Sequence, residues 1–303
     1  MAGGVHIPEV KGGFPMRAFQ KILFPIDMSD GCTATARFVE AMARKYDAAV
    51  TMLHVLEMPS GLIPDWYGGA VPVIDTTAIW QAESEAAQSY LTDKFQGLNV
   101  RRVVVQADAA QMIGEYARDN GTDLIMMATH GYGLFRSLLL GSVTAKVLHD
   151  TPCPVWTGVH VEDAPAVSPE FATVMCAVDR TEDSVVQMRF AGRLARDSDA
   201  KLFLVHAIPG AEVAPDKYFD SDLRRYLEQD ARKTIAQLQE TADVAAQLCL
   251  GVGEVSHVVR DAALGHSADL LVIGRGQATR TLGRLRSNVY SIIRDAPCPV
   301  ISV

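Results

Sequence analysis

Residues 123–131 read Asp-Leu-Ile-Met-Met-Ala-Thr-His-Gly, and residues 141–148 continue Gly-Ser-Val-Thr-Ala-Lys-Val-Leu. The first stretch carries an unbroken apolar run, Leu124 to Ala128. A short run with no polar alternation suits a strand covered on both faces. The second stretch sets Val143, Val147 and Leu148 on one side of a helix over Ser142 to His149. A buried strand that turns at glycine and opens a helix is the unit of a parallel α/β sheet.

The same alternation extends outward. Lys21 to Ile26 is a strand candidate ending at Asp27. Thr33 to Tyr46 places Ala34, Phe38, Val39, Met42 and Tyr46 at helical spacing. Ala49 to Leu56 and Val100 to Val105 are further strands, with a helix at Gln111 to Arg118. Val155 to Thr157 is a short last strand. Ser60 to Trp80, rich in Pro, Gly and aromatics, breaks the pattern. It reads as a surface excursion leading into a helix near Ala78 to Phe95, with three uses open for its aromatics, Trp66 and Tyr67 among them: lidding a ligand, packing at an interface or packing on their own domain.

The chain then repeats itself. Phe24-Pro25-Ile26-Asp27 matches Cys176-Ala177-Val178-Asp179, and Leu53-His54-Val55 matches Val205-His206-Ala207. Asp123 to Met127 matches Asp269 to Ile273. Pro152-Cys153-Pro154-Val155 matches Pro297-Cys298-Pro299-Val300. The order is kept and the offset shortens only slightly, so two related units are expected. Residues 1–18 read as a tail, 19–159 as the first unit, 160–169 as a linker with Pro165, Ser168 and Pro169, and 170–303 as the second. The fold expected is two tandem doubly wound parallel five-stranded α/β sheets.

Composition sets the limits. The 303 residues are 49% hydrophobic and 21% charged, which excludes a disordered or coiled-coil chain. Lys and Arg total 28 against 36 Asp and Glu, a net charge of −8 that disfavours nucleic-acid and membrane partners. No apolar run reaches the roughly 20 residues of a membrane span, and Met1 to Phe19 lacks the apolar core of a signal peptide. Cys32, Cys153, Cys176, Cys249 and Cys298 are odd in number and scattered, so buried thiols in a reducing cytoplasm are expected. No Cys/His spacing suggests a metal site.

The chemistry-bearing stretch is Ala128-Thr129-His130-Gly131, nine residues, then Gly141-Ser142. Gly131 permits a sharp turn after the strand, and Gly141 lets backbone approach a ligand. The N–H groups opening the next helix favour an anion. Ser142 adds a hydroxyl, with Thr144 a weaker candidate. His130 could touch a ligand but has no paired acid in sequence. His54 and His206 recur in strands and read as core histidines. Asp108 and Glu115 read as solvated acids at a helix start. There is no Walker loop, no Gly-x-Ser-x-Gly elbow and no Gly-x-Gly-x-x-Gly after the first strand, and no nucleophile-base-acid set is visible.

Met127 to Val155 resembles the nucleotide-loop signature of the universal stress protein family. That pattern runs Gly-x-x-Gly, nine residues, Gly-Ser/Thr, and closes on a Cys-Pro-Val strand. The strand with Asp27, the Leu53-His54-Val55 strand and the repeated unit length add to the likeness. The resemblance implies a flavodoxin-like fold of the adenine nucleotide alpha hydrolase type, strand order 3-2-1-4-5, in each unit. It implies ATP, with Mg²⁺ or Mn²⁺ arriving on the nucleotide. By the same resemblance Asp27 reaches the ribose, Val55 lends backbone to adenine, and Gly131, Gly141 and Ser142 hold phosphates beside Ala128, His130, Val143 and Thr144. Ala128 departs from the pattern, which has Gly there. It also implies pairing of the two last strands within the chain as a pseudo-dimer, with a homodimer or an unknown protein partner beyond that.

The second unit departs further. Asp179, Gly274, Gly276 and Ser287 persist, but Arg286 replaces the Gly141 equivalent and the loop is one residue shorter. Two readings stand. Arg286 fills a vacant phosphate site, or Arg275, Arg280, Arg284, Arg286 and Arg294 bind another anion. Three functions are carried forward: a nucleotide-binding stress or signalling protein, a scaffold of the same fold without nucleotide, and a slow ATPase.

Overall fold

The computed structural model describes residues 19–57, 77–129, 140–158, 171–208, 221–275 and 285–303. In the first unit the order is β1 (Lys21–Pro25), α1 (Asp30–Tyr46), β2 (Ala49–Leu56), α2 (Thr77–Ser89), β3 (Val100–Gln106), α3 (Ala109–Asp119), β4 (Leu124–Ala128), α4 (Ser142–Asp150) and β5 (Val155–Gly158). The second unit repeats it as β6 (Thr173–Ala177), α5 (Ser184–Asp197), β7 (Lys201–Ile208), α6 (Ser221–Ala242), β8 (Gln247–Val252), α7 (Val255–Gly265), β9 (Leu270–Ile273), α8 (Leu285–Asp295) and β10 (Val300–Ser302). The expected α2 is shortened. It stops at Ser89, and turns rather than helix carry the chain through Phe95. Much of the Ser60 to Trp80 excursion, with Trp66 and Tyr67, lies outside the described residues.

Each unit has the order 3-2-1-4-5, and every strand pair within a unit is parallel. The two sheets are not separate. β5 and β10 pair antiparallel, with Val155 opposite Ser302, Trp156 opposite Ile301 and Thr157 opposite Val300. One ten-stranded sheet results, β3-β2-β1-β4-β5-β10-β9-β6-β7-β8. The reason is physical. Each short last strand carries unpaired main-chain groups on one edge, and the other unit offers the same edge.

Strand residues alternate between two cores. Ile22 and Phe24 join the layer with α1 and α5, while Leu23 joins the layer with α3, α4, α7 and α8. Both cores run across the join: Trp156 and Ile301 lie in one, Val155 and Val300 in the other. Trp156 is almost fully buried and packs against Phe38, ring centroids 5.1 Å apart. Truncating a buried Trp of this kind to Ala costs about 3–5 kcal/mol.

Local signals explain the helix ends. Ser29 caps α1 by accepting from the Cys32 N–H, and Asp108 caps α3 by accepting from the Gln111 N–H. Asp108, with Lys146 as a second partner at 3.1 Å, is therefore more than a solvated acid. α1 ends at Asp47, left-handed with φ 53°, and α5 is followed by its repeat equivalent Asp199 at φ 51°. Asp tolerates that region better than most side chains. Asp123 and Asp269, read only as repeat markers, tie strands together. The Asp123 carboxylate accepts from the Gln20 and Lys21 N–H groups at 2.8 and 2.9 Å. Asp269 does the same for Ala172 and Thr173. The five cysteines are free, and burial raises each thiol, Cys32, Cys153 and Cys298 up to about 12.

Candidate functional site

In the first unit the chain order reverses at β1, which has β2 on one side and β4 on the other. The crevice beyond the carboxyl ends of β1 and β4 is where open α/β sheets take ligands. Asp27 stands there after β1, and Ala128 ends β4. Asp27 is exposed, and its Oδ1 accepts from the Ser29 N–H at 3.0 Å and the Ser29 hydroxyl at 2.6 Å. Met28 between them is left-handed, φ 62°. Ser29, buried and itself the α1 cap, thus fixes the carboxylate. Sequence reading missed Ser29. The signal was the spacing Asp27-x-Ser29, echoed by Asp179-x-Thr181.

β2 outruns β1. The register pairs Pro25 with Leu53, and the Ile26 N–H donates to the Leu53 carbonyl. Main-chain groups alternate sides along a strand. Val55 therefore turns its N–H and C=O toward the β1 side, beyond the end of β1. His54 lies between them, buried, with Nδ1 2.8 Å from the Ile26 carbonyl. His206 repeats the contact to Val178. These histidines clamp the residue before each aspartate, consistent with their reading as strand-end core groups.

α4 begins at Gly141, which has no side chain to cap it. Its own N–H donates to the Thr129 carbonyl at 2.8 Å. Thr129 is buried and donates its hydroxyl to the Gly158 carbonyl. Thr144 is buried too, and its hydroxyl donates to the Ala128 carbonyl at 3.0 Å, tying helix to strand. Ser142 is exposed and Val143 half-buried. The arrangement presents a helix start without a side-chain cap and a fixed carboxylate, following the neighbouring parallel strands β4 and β1 at the same end of the sheet. A positive helix end and a hydroxyl acceptor are what a phosphorylated sugar requires. His130 and Gly131 lie outside the described residues. Among the described residues no group of three or more His, Cys, Asp or Glu is placed to hold a metal ion.

The second unit keeps part of this arrangement and changes the rest. Asp179 Oδ1 accepts from the Thr181 N–H, the Thr181 hydroxyl and the Ser184 hydroxyl, so it braces the start of α5. The Gln187 carboxamide, buried, lies directly over Gly274. Gly276 lies outside the described residues, as do the side chains of Arg286 and Ser287, which the backbone puts in the first turn of α8.

Arg280 and Arg284 lie outside the described residues. Arg294 pairs with Asp295 at 2.8 Å. Arg275 turns toward the other unit and donates to the carbonyls of Thr151 and Cys153 at 2.5 and 2.7 Å, and of Leu148 at 3.3 Å. Burial lowers its pKa, yet a guanidinium stays ionised in proteins. Nothing in the sequence marked Arg275 as an inter-unit contact, because its partners are main-chain atoms.

Among the described residues no helix is long and apolar enough to cross a membrane. A model described as the universal stress protein family matches residues 18–157 and again 170–303. A universal stress protein from Synechocystis is 30% identical over 150 residues, 49% of this chain and 90% of its own. One from Mycobacterium tuberculosis is 24% identical over 293 residues, 92% of this chain and 95% of its own. A universal stress protein structure from Archaeoglobus fulgidus shares the fold, with a TM-score of 0.64 at 17% identity, over 94% of this chain and 96% of that one. Two successive matches over a sheet that repeats one topology make the chain a tandem member of the universal stress protein family.

Proposed function

We propose that the first unit, residues 19–159, binds an adenine nucleotide, ATP, as a conformational ligand in a stress response or signalling role. The observation that carries this reading is the pairing of Asp27, held by Ser29, with the glycine-capped start of α4 at the switch point of the sheet. The free face of the Asp27 carboxylate accepts ribose hydroxyls. Val55 offers main-chain groups to the base. The N–H groups of Ser142 and Val143, the Ser142 hydroxyl and the backbone at Gly141 take the phosphates. Thr144 supports Ala128 from behind. A divalent cation, Mg²⁺ or Mn²⁺, comes with the phosphates and supplies charge neutralisation there.

In the second unit, residues 170–303, the corresponding site is degenerate. Gln187 occupies the space over Gly274, and Arg286 stands where the first unit has Gly141. Residues 160–169 link the two.

The test is to purify the protein without added nucleotide, denature it and identify released small molecules by mass spectrometry. About one ATP or ADP per chain is expected. About two would overturn the degenerate second site. None, with no binding of ATP and Mg²⁺ by calorimetry, would leave a scaffold of the same fold. A nucleotide-dependent product lost in Ser142→Ala would instead make it a slow ATPase.

A further inference from the structure

α4 is held by two units at once. Its amino-terminal half is tied to its own unit, by the Thr144 hydroxyl on the Ala128 carbonyl and by Lys146 on Asp108. Its middle and its carboxyl-terminal end are gripped from the second unit. The Tyr290 hydroxyl of α8 donates to the Ala145 carbonyl at 3.2 Å. One turn on, the Arg275 guanidinium donates to Leu148, and to Thr151 and Cys153 just beyond the helix. The last carbonyls of a helix lack intrahelical partners and carry its negative end, so a fixed cation there is favoured twice over.

Arg275 is itself anchored. Its N–H donates to the Val303 carbonyl, and the Val303 N–H donates to the Ile273 carbonyl, so its backbone belongs to the β9–β10 ladder. The arrangement is one-sided. Aligning Asp123 with Asp269 puts Thr129 at the equivalent place in the first unit, and its hydroxyl bonds the Gly158 carbonyl of its own unit. The second unit holds α4 by a guanidinium fork, and the first unit has only a threonine at the matching position.

We propose that Arg275 is a positioning residue through which the second unit sets the ligand affinity of the first. A helix of two to three turns moves as a rigid body. Whatever fixes its carboxyl end also aims the N–H groups at its other end. The inference rests on the reading that the start of α4 takes phosphate.

The test compares Arg275→Met and Arg275→Lys with the parent full-length chain, using calorimetry with ATP and Mg²⁺ well below the melting temperature. Arg294→Met, which removes an α8 arginine paired with Asp295, is the control. Both Arg275 variants should raise the Kd about 5-fold or more, since Lys keeps the charge but not the three-carbonyl fork. Arg294→Met should leave it unchanged. Hydrogen exchange adds a readout that lost stability alone does not move. In the parent chain ATP should slow exchange in residues 285–295, and in Arg275→Met that protection should vanish while protection at β2 persists. Should Arg275→Met fail to fold, Tyr290→Phe tests the same grip. A folded Arg275→Met with the parent Kd overturns the proposal. A parent chain that binds no nucleotide overturns the nucleotide reading first, and this one with it.

Discussion

Gln187 lies over Gly274 so closely that a methyl group added to the glycine would overlap its carboxamide. In the first unit the residues at the equivalent sequence positions are Thr35 and Ala128, one shorter than Gln and the other larger than Gly. The exchange conserves volume. Gly274→Ala should therefore destabilise the protein by about 1–3 kcal/mol through overpacking. The double variant Gln187→Thr with Gly274→Ala, copying the first unit, should recover most of that loss. Urea unfolding of the singles and the double gives the coupling directly. Simple additivity would mean that the two residues do not share the space.

Gly141→Arg copies the second unit into the first. Gly141 has φ −57° and ψ 144°, a conformation open to any L residue, so the fold should persist. The new side chain would stand at the proposed phosphate site. Nucleotide binding by calorimetry should fall below detection, with an unchanged circular dichroism spectrum. Normal ATP binding by this variant would put the phosphate site elsewhere.

Asp123 and Asp269 each satisfy two main-chain N–H groups at the start of a central strand. Alanine at either leaves both donors without the carboxylate, and a loss of about 2 kcal/mol is expected. Asparagine, which keeps one acceptor oxygen, should lose less. Equal losses for alanine and asparagine in urea unfolding would show that the charge rather than the acceptor matters.

Burial lowers the pKa of His206. The folded value lies below the ordinary one near 6.5. Within that window the unfolded chain binds the extra proton, so stability rises with pH and falls as pH drops from about 6.5 toward the lowered value. His206→Gln should flatten this part of the profile. The comparison is urea unfolding of parent and variant between about pH 5 and 7.5. Parallel profiles would remove His206 as the titrating group.

Apolar runs and their repetition made the architecture legible. Leu124 to Ala128 and Leu270 to Ile273 suit strands buried on both faces, and their alternation with helical patterns makes the neighbours parallel. The helix ends were less legible, since they depend on caps such as Ser29 and Asp108 that lie just outside the apolar pattern. The candidate site was legible where a residue type is constrained, at Asp27, Gly141 and Ser142. It was not legible where a side chain answers to main-chain atoms far away. Arg275 reads as one of five crowded arginines, and only the fold shows that its partners are the carbonyls of Leu148, Thr151 and Cys153. A bracing role for Asp179 can be read from its place before a helix, but its partners Thr181 and Ser184 were hidden, because polar residues near a helix start have many uses.

The antiparallel join of β5 to β10 has a consequence for how the two halves can diverge. Two separate chains that met through this edge could dissociate and exchange partners, and each copy would have to serve both places. Within one polypeptide the stoichiometry is fixed and neither half can be replaced by another. A change suited to one half, such as an arginine that would be misplaced in the other, is never paired with itself. The join thus turns a symmetric architecture into a permanent heterodimer, in which the two halves are free to specialise.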